Sequence, residues 1–401
     1  MQTEALDRAT AKAVHIARYD PLDEYFEFVG NIRHGFSSAQ VEYDTFECSQ
    51  SSADGPVIAA YSTTYGLSKP IFRPGRTNDQ CPANCTFVEA YGLLTAAQNA
   101  DVVVFNAHVA PPLPRTPTKQ LWVGYYWEAP DANHPILLDS EHMTLFNYTM
   151  GFMPYDDIFL GSMVYDTFKY FHFTRNWPFP SFEQKKAYPM MSVWMSNCHM
   201  QLSNRVDYLA KLKSHGISVA SYGACERTHE PNLLSLADST WASFANTGAH
   251  ELLIAISTSH LFFYAAENSN CSFYHTEKVY NALVAGSVPV YLGSCATLRE
   301  FVPPRSVIMA DDFDGPESLA AYLRYLSANE TAYASYLEWR TDRCTMHREP
   351  CFPPEWGKLS TLMELSTWIE SNDQTHMRCA LCQYFARCRV RRKARPLGCV
   401  P

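Results

Sequence analysis

The sequence predicts an α/β chain built as two halves with a cleft between them, and three observations carry this prediction. The 401 residues, 47% of them hydrophobic, exceed the roughly 250–300 residues that one hydrophobic core usually serves, so two cores are expected. Apolar, strand-like runs alternate with helical segments, which is typical of α/β proteins. A polar, proline-containing stretch at Pro178–Lys186 separates two sets of these runs. We therefore place a domain boundary there.

The first set of runs lies within residues 53–185, which we assign to an N-terminal domain. Asp101–Ala107 reads DVVVFNA and Gln120–Trp127 is similarly apolar, so both are predicted to be strands of a parallel sheet. The proline-rich segment Pro111–Pro117 between them is predicted to be a loop. Residues 1–52 are polar and weakly patterned, which indicates a stem or a loosely attached leader.

The second set of runs continues the pattern through residues 186–350, the predicted C-terminal domain. Its predicted strands are Met190–Ser196, Ile217–Tyr222, Leu252–Ala266, Val288–Leu292 and Val307–Ala310. A helix is expected near Arg205–His215. Another is expected after Asp312, because Pro316 and Glu317 suit a first helical turn.

Charge and cysteine content restrict the partners and the compartment. A formal net charge of −9 argues against nucleic acid as the main partner, since phosphate-backbone binding needs a basic surface. The basic run Arg387–Arg395 belongs to a cysteine-rich tail, residues 351–401, and is predicted to be solvated. Thirteen cysteines favour an oxidising compartment. Asn-x-Ser/Thr sequons, which suit a glycosylating compartment, occur at Asn84, Asn147, Asn270 and Asn329. The sequence contains no run of about 18 apolar residues that would indicate a membrane anchor.

The segment Ala265–Gly293 carries the clearest chemical signal. It passes from strand to loop to helix to strand, with Thr276 placed to cap a helix that ends at Gly286. Free N–H groups at a helix start favour a diphosphate, and Lys278 adds a charge-assisted contact. Glu277 would repel phosphate, but its carboxylate suits the two hydroxyls of a ribose. These residues indicate a nucleoside-diphosphate sugar site. The alternative is a capped helix whose Glu277 and Lys278 only face solvent.

Further motifs stand in order on both sides of this segment. The motifs are Trp127-Glu128-Ala129-Pro130, Phe146-Asn147-Tyr148-Thr149-Met150, Ser196-Asn197-Cys198, Arg205, Glu267-Asn268-Ser269, Tyr274, Thr276-Glu277-Lys278, Val288-Pro289-Val290 and Leu292-Gly293. Together they closely resemble the α1,3/α1,4-fucosyltransferase family over roughly residues 95–345. The resemblance implies two facing Rossmann-like domains of the GT-B type. In that fold the C-terminal domain would hold GDP-fucose and the N-terminal domain would hold the acceptor.

The same resemblance implies a set of donor-binding residues. They are Arg205, Glu267, Asn268, Tyr274, Glu277 and Lys278. Arg205 and Lys278 would neutralise the diphosphate and Glu277 would hold the ribose. Glu267 would help to position the fucose. Because these cations and a helix terminus can stabilise the departing GDP, we predict no obligatory metal, with a divalent cation at most stimulating the reaction.

Glu128 is the general base that the resemblance implies. It would remove a proton from an acceptor hydroxyl as that hydroxyl attacks the anomeric carbon of fucose from the face opposite GDP, which inverts that carbon. The alternative is a strand-end carboxylate that caps the turn before Pro130. The family also implies a secretory enzyme of the Golgi lumen with a membrane anchor that this sequence does not show.

Two departures from the family pattern affect the acceptor side. Ala129 replaces the usual Ser, and Gly151-Phe152-Met153 stand where the family often has Ser-Tyr-Arg. The acceptor is therefore left open between an N-glycan core GlcNAc, an N-acetyllactosamine antenna and a folded protein. A non-catalytic glycan-binding or sugar-nucleotide-binding protein on the same fold is the remaining alternative.

The cysteines are predicted to form disulfides. Cys198 and Cys225 follow strand ends in consecutive strand–helix–strand units, so their side chains can meet across adjacent strands. The other candidates are Cys81, Cys85, Cys379 and Cys382. A zinc site remains an alternative for these spacings, although two well-separated Cys-x2-Cys pairs are absent and short bridges of this kind are known near the C-termini of fucosyltransferases. Cys271 and Cys295 are expected to be small buried side chains. Because thirteen is odd, at least one thiol is expected to stay free or to pair between molecules.

Two of the sequons are expected to have different roles. Asn147 lies in a core motif of the family and is expected to be a turn residue, whereas Asn329 is the better glycan candidate.

Overall fold

The computed structural model of the chain describes residues 43–45, 55–61, 74–76, 84–90, 94–111, 120–131, 134–153, 156–159, 177–199, 202–231, 243, 245, 248–340, 381–382, 385 and 389–391. These residues form two separate, mainly parallel sheets with helices between their strands. The predicted α/β class with two Rossmann-like halves is thereby confirmed. Most of the predicted stem and tail lies outside the described residues.

The first sheet contains seven strands among the described residues. They are β2 (Val57–Ala60), β3 (Gly75–Arg76), β4 (Thr86–Glu89), β5 (Val102–Asn106), β6 (Leu121–Tyr125), β7 (Tyr148–Gly151) and β8 (Ile158–Phe159). Their order is β3-β4-β2-β5-β6-β7-β8, and every neighbouring pair except β3 with β4 is parallel. Asn106 pairs with Tyr125, so β5 and β6 end at the same edge of the sheet. Both strands were predicted, at 101–107 and 120–127, and both are confirmed.

The second sheet is parallel throughout its described strands. They are β9 (Met191–Val193), β10 (Val219–Ser221), β11 (Phe262–Ala266), β12 (Val288–Leu292) and β13 (Ile308–Met309), in the order β10-β9-β11-β12-β13. The two central strands, β11 and β12, are buried along their whole length. Continuous apolar strands of this kind are expected where helices cover both faces of a parallel sheet.

The helices connect these strands. They are α1 (Leu94–Gln98), α2 (Ser140–Met143), α3 (Phe182–Lys186), α4 (Arg205–Ser214), α5 (Ala249–Ser257), α6 (Glu277–Ala285), α7 (Cys295–Leu298), α8 (Pro316–Ala328) and α9 (Glu330–Ala334). Helix α3 begins with a capping box in which Ser181 and Gln184 satisfy each other's backbone N–H groups. The helices predicted near Arg205 and after Asp312 are confirmed as α4 and α8.

The prediction of one strand over Leu252–Ala266 is wrong. Its first part belongs to helix α5 and only its last five residues form strand β11. The run is apolar on all sides because α5 is packed between other elements, so it lacks the alternation that separates helix from strand. The polar residues Ser257, Thr258 and Ser259 mark the break, and Ser257 and Thr258 donate their hydroxyls back to the helix carbonyls of Leu253 and Ala255.

The C-terminal segment returns to the first half of the molecule. Leu381, Cys382 and Phe385 pack against the face of the first sheet that also carries Phe87 and Tyr148. Cys382 forms a disulfide with Cys85 across 297 residues of sequence. A short strand β14 (Arg389–Arg391) pairs antiparallel with β1 (Tyr43–Thr45). The basic run was expected to be a solvated tail, and three of its residues, 389–391, form this strand.

The loop after β11 belongs to the core of the opposite half. Phe273 and Tyr274 are buried in a cluster with Phe105, Trp122 and Phe146 of the first sheet. The rings of Phe152 and Tyr274 lie 5.3 Å apart. A loop that leaves the second sheet therefore buries its aromatic side chains against the first, and this contact places residues of both halves at one pocket.

Candidate active site

A pocket of about 350 Å³ opens between the two halves. Its lining comprises Glu128, Val193, Trp194, Met195, Ser196, Asn197, Arg205, Tyr264, Ala266, Asn268, Tyr274, Thr276, Glu277 and Lys278. Most of these residues follow the carboxyl ends of β9 and β11 or stand at the start of α6. The outer side of that edge is where open α/β sheets generally bind ligands. Six of the seven predicted site residues line the pocket, and Glu267 does not.

Glu267 is buried behind two pocket-lining residues, Thr276 and Lys278, and organises the start of α6. Its side chain is fully buried, at 0% exposure. The carboxylate accepts the Thr276 backbone N–H at 2.7 Å, the Thr276 hydroxyl at 2.8 Å and the Lys278 ammonium at 3.1 Å. Thr276 occupies the N-cap position, but its side chain makes no cap bond. Thr276 is therefore the N-cap residue, as predicted, and its hydroxyl donates to the Glu267 carboxylate.

Lys278 and Glu277 occupy the first turn of α6 and both line the pocket. Burial alone would lower the pKa of Lys278, but Glu267 and Glu277 outweigh burial and hold that pKa above its ordinary value. Burial alone would raise the pKa of Glu277, but Lys278 and hydrogen bonds hold it below its ordinary value. Both groups are therefore ionised at neutral pH. An anion at this helix start meets a positive charge, and the first-turn N–H groups lack helical acceptors.

Arg205 begins helix α4 and is only 3% exposed. Its guanidinium donates to the carbonyl of Ala266 at 3.2 Å and to that of Asn197 at 2.7 Å. Burial lowers the pKa of Arg205 from its very high ordinary value, while Glu267 opposes that change. Its Nε–H group has no hydrogen-bond partner among the described residues. This N–H is therefore available to donate to a ligand in the pocket.

Asn268 presents an unsatisfied acceptor at the same place. Its Oδ1 is buried and has no hydrogen-bond partner in the described part of the chain. A buried polar atom without a partner costs roughly 1–3 kcal/mol. A hydroxyl or N–H group of a bound ligand would satisfy it.

Glu128 belongs to the opposite half and lines the same pocket as Arg205 and Asn268. It follows the carboxyl end of β6, and its Oε2 accepts the Tyr274 hydroxyl at 2.8 Å. Burial raises the pKa of Tyr274 well above its ordinary value, with further contributions from Glu128 and Glu267. Tyr274 therefore stays protonated and donates. The hydrogen bond brings the predicted base and the predicted donor site together.

Sequence reasoning missed two histidines near Glu128. The Nε2 of His134 lies 4.0 Å from Glu128 Oε2. The ring of His108 contacts the ring of His134 edge-on at 4.7 Å. The sequence did contain a signal for His108. It follows β5 as Glu128 follows β6, and neighbouring parallel strands bring such residues to one edge of a sheet.

The apolar residues Gly151, Phe152 and Met153 turn inward. Phe152 and Met153 are buried at 3% and 0% exposure. A Cβ on Gly151 would lie 2.4 Å from the Tyr126 ring and 2.8 Å from an Asp156 carboxylate oxygen. Asp156 itself accepts the Tyr126 hydroxyl at 2.6 Å. A serine at position 151 would disrupt this packing. The packing of the first half's core therefore explains why Gly151 replaces the serine that the family often has here.

The disulfides partly match the predictions. Cys198 and Cys225 are bonded as predicted. Cys85 pairs with Cys382, so neither belongs to a bridge with its sequence neighbour, and both are excluded from a zinc site. Cys81 and Cys379 lie outside the described residues. Cys271 and Cys295 are both buried, as expected; Cys271 is disulfide-bonded, whereas Cys295 is a free thiol.

Among the described residues, no three His, Cys, Asp or Glu side chains converge in a way that could hold a metal ion. The described helices include none with the length and hydropathy to cross a membrane.

The chain is similar in sequence to known fucosyltransferases. A model of the glycosyltransferase family 10 (fucosyltransferase) C-terminal region matches residues 183–397. The chain is 30% identical over 238 residues to alpha-(1,3)-fucosyltransferase B of Drosophila melanogaster, which covers 58% of this chain and 51% of that protein. It is 32% identical over 238 residues to GDP-fucose protein O-fucosyltransferase 3 of Bos taurus, covering 57% and 46%.

The chain thus spans about half the length of the curated relatives it matches. A solved structure of an α1,3-fucosyltransferase with GDP aligns over 86% of this chain and 96% of that chain, with 17% identity and a TM-score of 0.44. Because the family model covers more than half of the 401 residues, the chain belongs to glycosyltransferase family 10, the fucosyltransferases.

Proposed function

We propose that the chain is an inverting fucosyltransferase that uses GDP-fucose as its donor. The observation that carries this proposal is the composition of one pocket: the carboxylate of Glu128 on one side, and Arg205 and Lys278 on the other. An inverting transfer needs a base for the acceptor and positive charge for the departing diphosphate. The fucosyltransferase names of the relatives support the choice of donor.

The donor-binding roles follow from charge and position. Lys278, Arg205 and the start of α6 neutralise the diphosphate. Glu277 accepts hydrogen bonds from the ribose hydroxyls. Asn268 offers its unsatisfied Oδ1 to a hydroxyl or N–H group of the donor. Glu267 acts through Thr276 and Lys278, which it holds in place, instead of touching the fucose.

The chemical step is a single displacement. The proton of the acceptor hydroxyl passes to Glu128 as a lone pair of the hydroxyl oxygen forms a bond to the anomeric carbon of fucose. The bond from that carbon to the GDP oxygen breaks, and its electron pair stays on GDP. Lys278 and Arg205 stabilise that added negative charge, so no obligatory metal is part of the proposal.

The acceptor we propose is a GlcNAc hydroxyl of a glycoprotein glycan, fucosylated in α1,3 linkage. A hydroxyl of a folded protein is the second candidate. Two observations favour it: relatives named GDP-fucose protein O-fucosyltransferase 3, and the apolar, inward-facing Gly151, Phe152 and Met153. Because these residues are buried, the polar arm that the family often places at this segment on its acceptor side is missing here.

The division of labour and the compartment are part of the same proposal. Residues 53–185 carry the acceptor side and residues 186–350 carry the donor side. The Cys85–Cys382 and Cys198–Cys225 disulfides support folding in the oxidising lumen of the secretory pathway, with the Golgi as the proposed location.

An acceptor panel tests the proposal. The purified chain is incubated with GDP-fucose and, separately, with GlcNAc-ended N-glycan cores, N-acetyllactosamine oligosaccharides and folded protein domains with exposed Ser or Thr. Fucosylated product and released GDP are measured by mass spectrometry and chromatography. Transfer to a glycan supports the first candidate, and transfer only to a protein supports the second. Tight GDP-fucose binding without transfer to any acceptor would instead indicate a non-catalytic binding protein.

A further inference from the structure

The side chains of His134 and Glu128 lie at a distance that a single hydroxyl oxygen can bridge from one side. The distance from His134 Nε2 to Glu128 Oε2 is 4.0 Å, which is too long for a direct hydrogen bond. An oxygen about 2.8 Å from both atoms would form an angle of about 90° with them, which a hydroxyl oxygen can adopt. Both side chains are about a quarter exposed, at 25% and 23%, so both groups are accessible to a ligand.

The surroundings hold both groups in fixed positions. Tyr274 donates to Glu128 Oε2 and so fixes the carboxylate from the donor side. The backbone N–H of His134 donates to the Asp131 carbonyl at 2.9 Å, and the His134 carbonyl accepts the N–H of Leu137 at 3.0 Å. The edge of the His108 ring supports the His134 ring. Burial, aided by His134 and His142, lowers the pKa of His108 to about 4, so His108 stays neutral and does not repel His134.

We propose that His134 binds the nucleophilic hydroxyl of the acceptor and holds it against Glu128. This assignment rests on the proposed function. The Nε2–H group of His134 donates to one lone pair of the hydroxyl oxygen, the hydroxyl donates its proton to Glu128, and the second lone pair faces the anomeric carbon. The reactive oxygen is thereby oriented before the displacement, which is the geometric contribution that positioned groups make to a transfer. No atom or electron beyond those of the proposed step is involved.

The assignment predicts how two variants differ. His134→Leu keeps the size of the side chain and removes the donor, whereas in His134→Gln the amide N–H reaches close to the position of Nε2. We expect His134→Leu to lower kcat/KM for the acceptor about 10- to 100-fold, the amount expected for one hydrogen bond in a desolvated site. His134→Gln should recover most of this loss. The Kd for GDP should stay within about twofold of wild type in both variants, because the donor side is unchanged.

The experiment uses the panel acceptor on which the wild-type chain acts fastest, and it measures transfer to that acceptor and hydrolysis of GDP-fucose by water side by side. His134→Leu should lose transfer while hydrolysis persists, because water does not depend on the orientation that His134 gives a larger acceptor. His215→Leu, at the far end of α4, is the surface control and should leave both rates unchanged. Thermal unfolding of all variants separates this effect from a loss of fold.

Several results would overturn the assignment. Wild-type transfer by His134→Leu would show that His134 does not touch the acceptor. Equal losses in His134→Leu and His134→Gln, accompanied by equal drops in Tm, would show a purely structural role. A wild-type chain that transfers fucose to nothing would refute the proposed function and this assignment together. The first two results leave the proposed function intact, so the two failures are distinguishable.

Discussion

Tyr274 donates a hydrogen bond to Glu128 at 2.8 Å, and this bond joins residues that are 146 positions apart in the sequence. Tyr274 comes from the loop that follows strand β11 of the second sheet, whereas Glu128 follows strand β6 of the first. The bond holds the carboxylate at the edge of the pocket that also contains Lys278 and Arg205. The two halves therefore meet at a carboxylate and a set of cations, and the proposed roles of these groups can be separated by substitution.

Replacement of the base should abolish transfer and spare donor binding. In Glu128→Gln the amide keeps the size of the side chain and can still accept the Tyr274 hydroxyl, but it cannot take a proton. Loss of a positioned general base typically lowers the rate about 10²- to 10⁴-fold, so kcat should fall by this amount while the Kd for GDP changes less than about twofold. Rate assays and calorimetry on the same preparation measure both. A comparable loss of GDP affinity would mean that Glu128 belongs to the donor site.

Replacement of the pocket lysine should have the opposite profile. Lys278→Ala removes the cation at the start of α6, and a charge-assisted hydrogen bond is worth about 1.5–3 kcal/mol. The Kd for GDP should therefore rise about 10- to 100-fold. Lys213→Ala is the matched control, because Lys213 pairs with Glu226 at 2.7 Å on the surface and does not line the pocket. Unchanged GDP affinity in Lys278→Ala, measured by calorimetry, would contradict the proposed role.

Local chemistry explains which parts of the fold were predictable. Strands β11 and β12 are apolar along their whole length because the sheet is covered on both faces, and this property is visible in the sequence. Helix α5 has the same apolar character, so composition alone could not separate it from β11. The partnership of Cys85 with Cys382 depends on the return of the C-terminal segment to the first sheet. No local pattern contains that information.

The same distinction applies to the site. Glu277 and Lys278 were assigned to the pocket from their place at a helix start, and both line it. Glu267 was expected to help position fucose, yet it is buried behind Thr276 and Lys278 and bonds both residues. Its burial is set by the packing of β11 against β12, where its own backbone N–H pairs with Leu292. His134 was missed because its closeness to Glu128 depends on local hydrogen bonds that join it to Asp131 and Leu137.

The disulfide between Cys85 and Cys382 should contribute more stability than the one between Cys198 and Cys225. The first closes 297 residues and the second 27, and the chain-entropy model gives the longer loop about 2 kcal/mol more. The double variant Cys85→Ser/Cys382→Ser should lose about 2–5 kcal/mol of unfolding free energy, and Cys198→Ser/Cys225→Ser should lose less. Urea denaturation of the two double variants and the wild type provides the comparison. A larger loss in the second variant would show that strand-end geometry outweighs loop length.

Replacement of Asn147, although it lies in a sequon, should lower stability and leave glycosylation unchanged. Asn147 Oδ1 accepts the backbone N–H of Trp122 at 2.9 Å, and the Asn147 N–H donates to the Trp122 carbonyl at 2.8 Å. Asn147→Ala leaves the Trp122 N–H without its acceptor, which should cost about 1–3 kcal/mol of unfolding free energy. Asn329→Ala tests the better glycan candidate, and in a glycosylating host it should remove one glycan by intact-protein mass. Loss of a glycan in Asn147→Ala would contradict the assignment of Asn147 as a turn residue.

Lys185 should make stability depend on pH above neutrality. Its ammonium group is buried and donates to the Gly286 carbonyl at 2.6 Å, at the C-cap of α6. Burial, with a contribution from Arg340, lowers the pKa of Lys185 to about 7. Between pH 7 and about 10, the unfolded chain binds a proton at this residue that the folded chain does not. The free energy of unfolding should therefore rise with pH over this window, by up to about 1.4 kcal/mol per pH unit from this group. Below pH 7 Lys185 is charged in both states, so its burial lowers the free energy of unfolding by its full, constant amount.

Lys185→Met removes the titrating group and keeps the length of the side chain, so the pH-dependent rise should be absent from this variant. Urea denaturation at pH 7, 8 and 9 gives the unfolding free energies from which the rise is read. Lys186→Met is the matched control, because its neighbouring ammonium is exposed and pairs with Glu183 at 3.0 Å. It should reproduce the wild-type profile. If Lys185→Met also retained the full rise, Lys185 would have to be charged in the folded chain, and the pH dependence would belong to other groups.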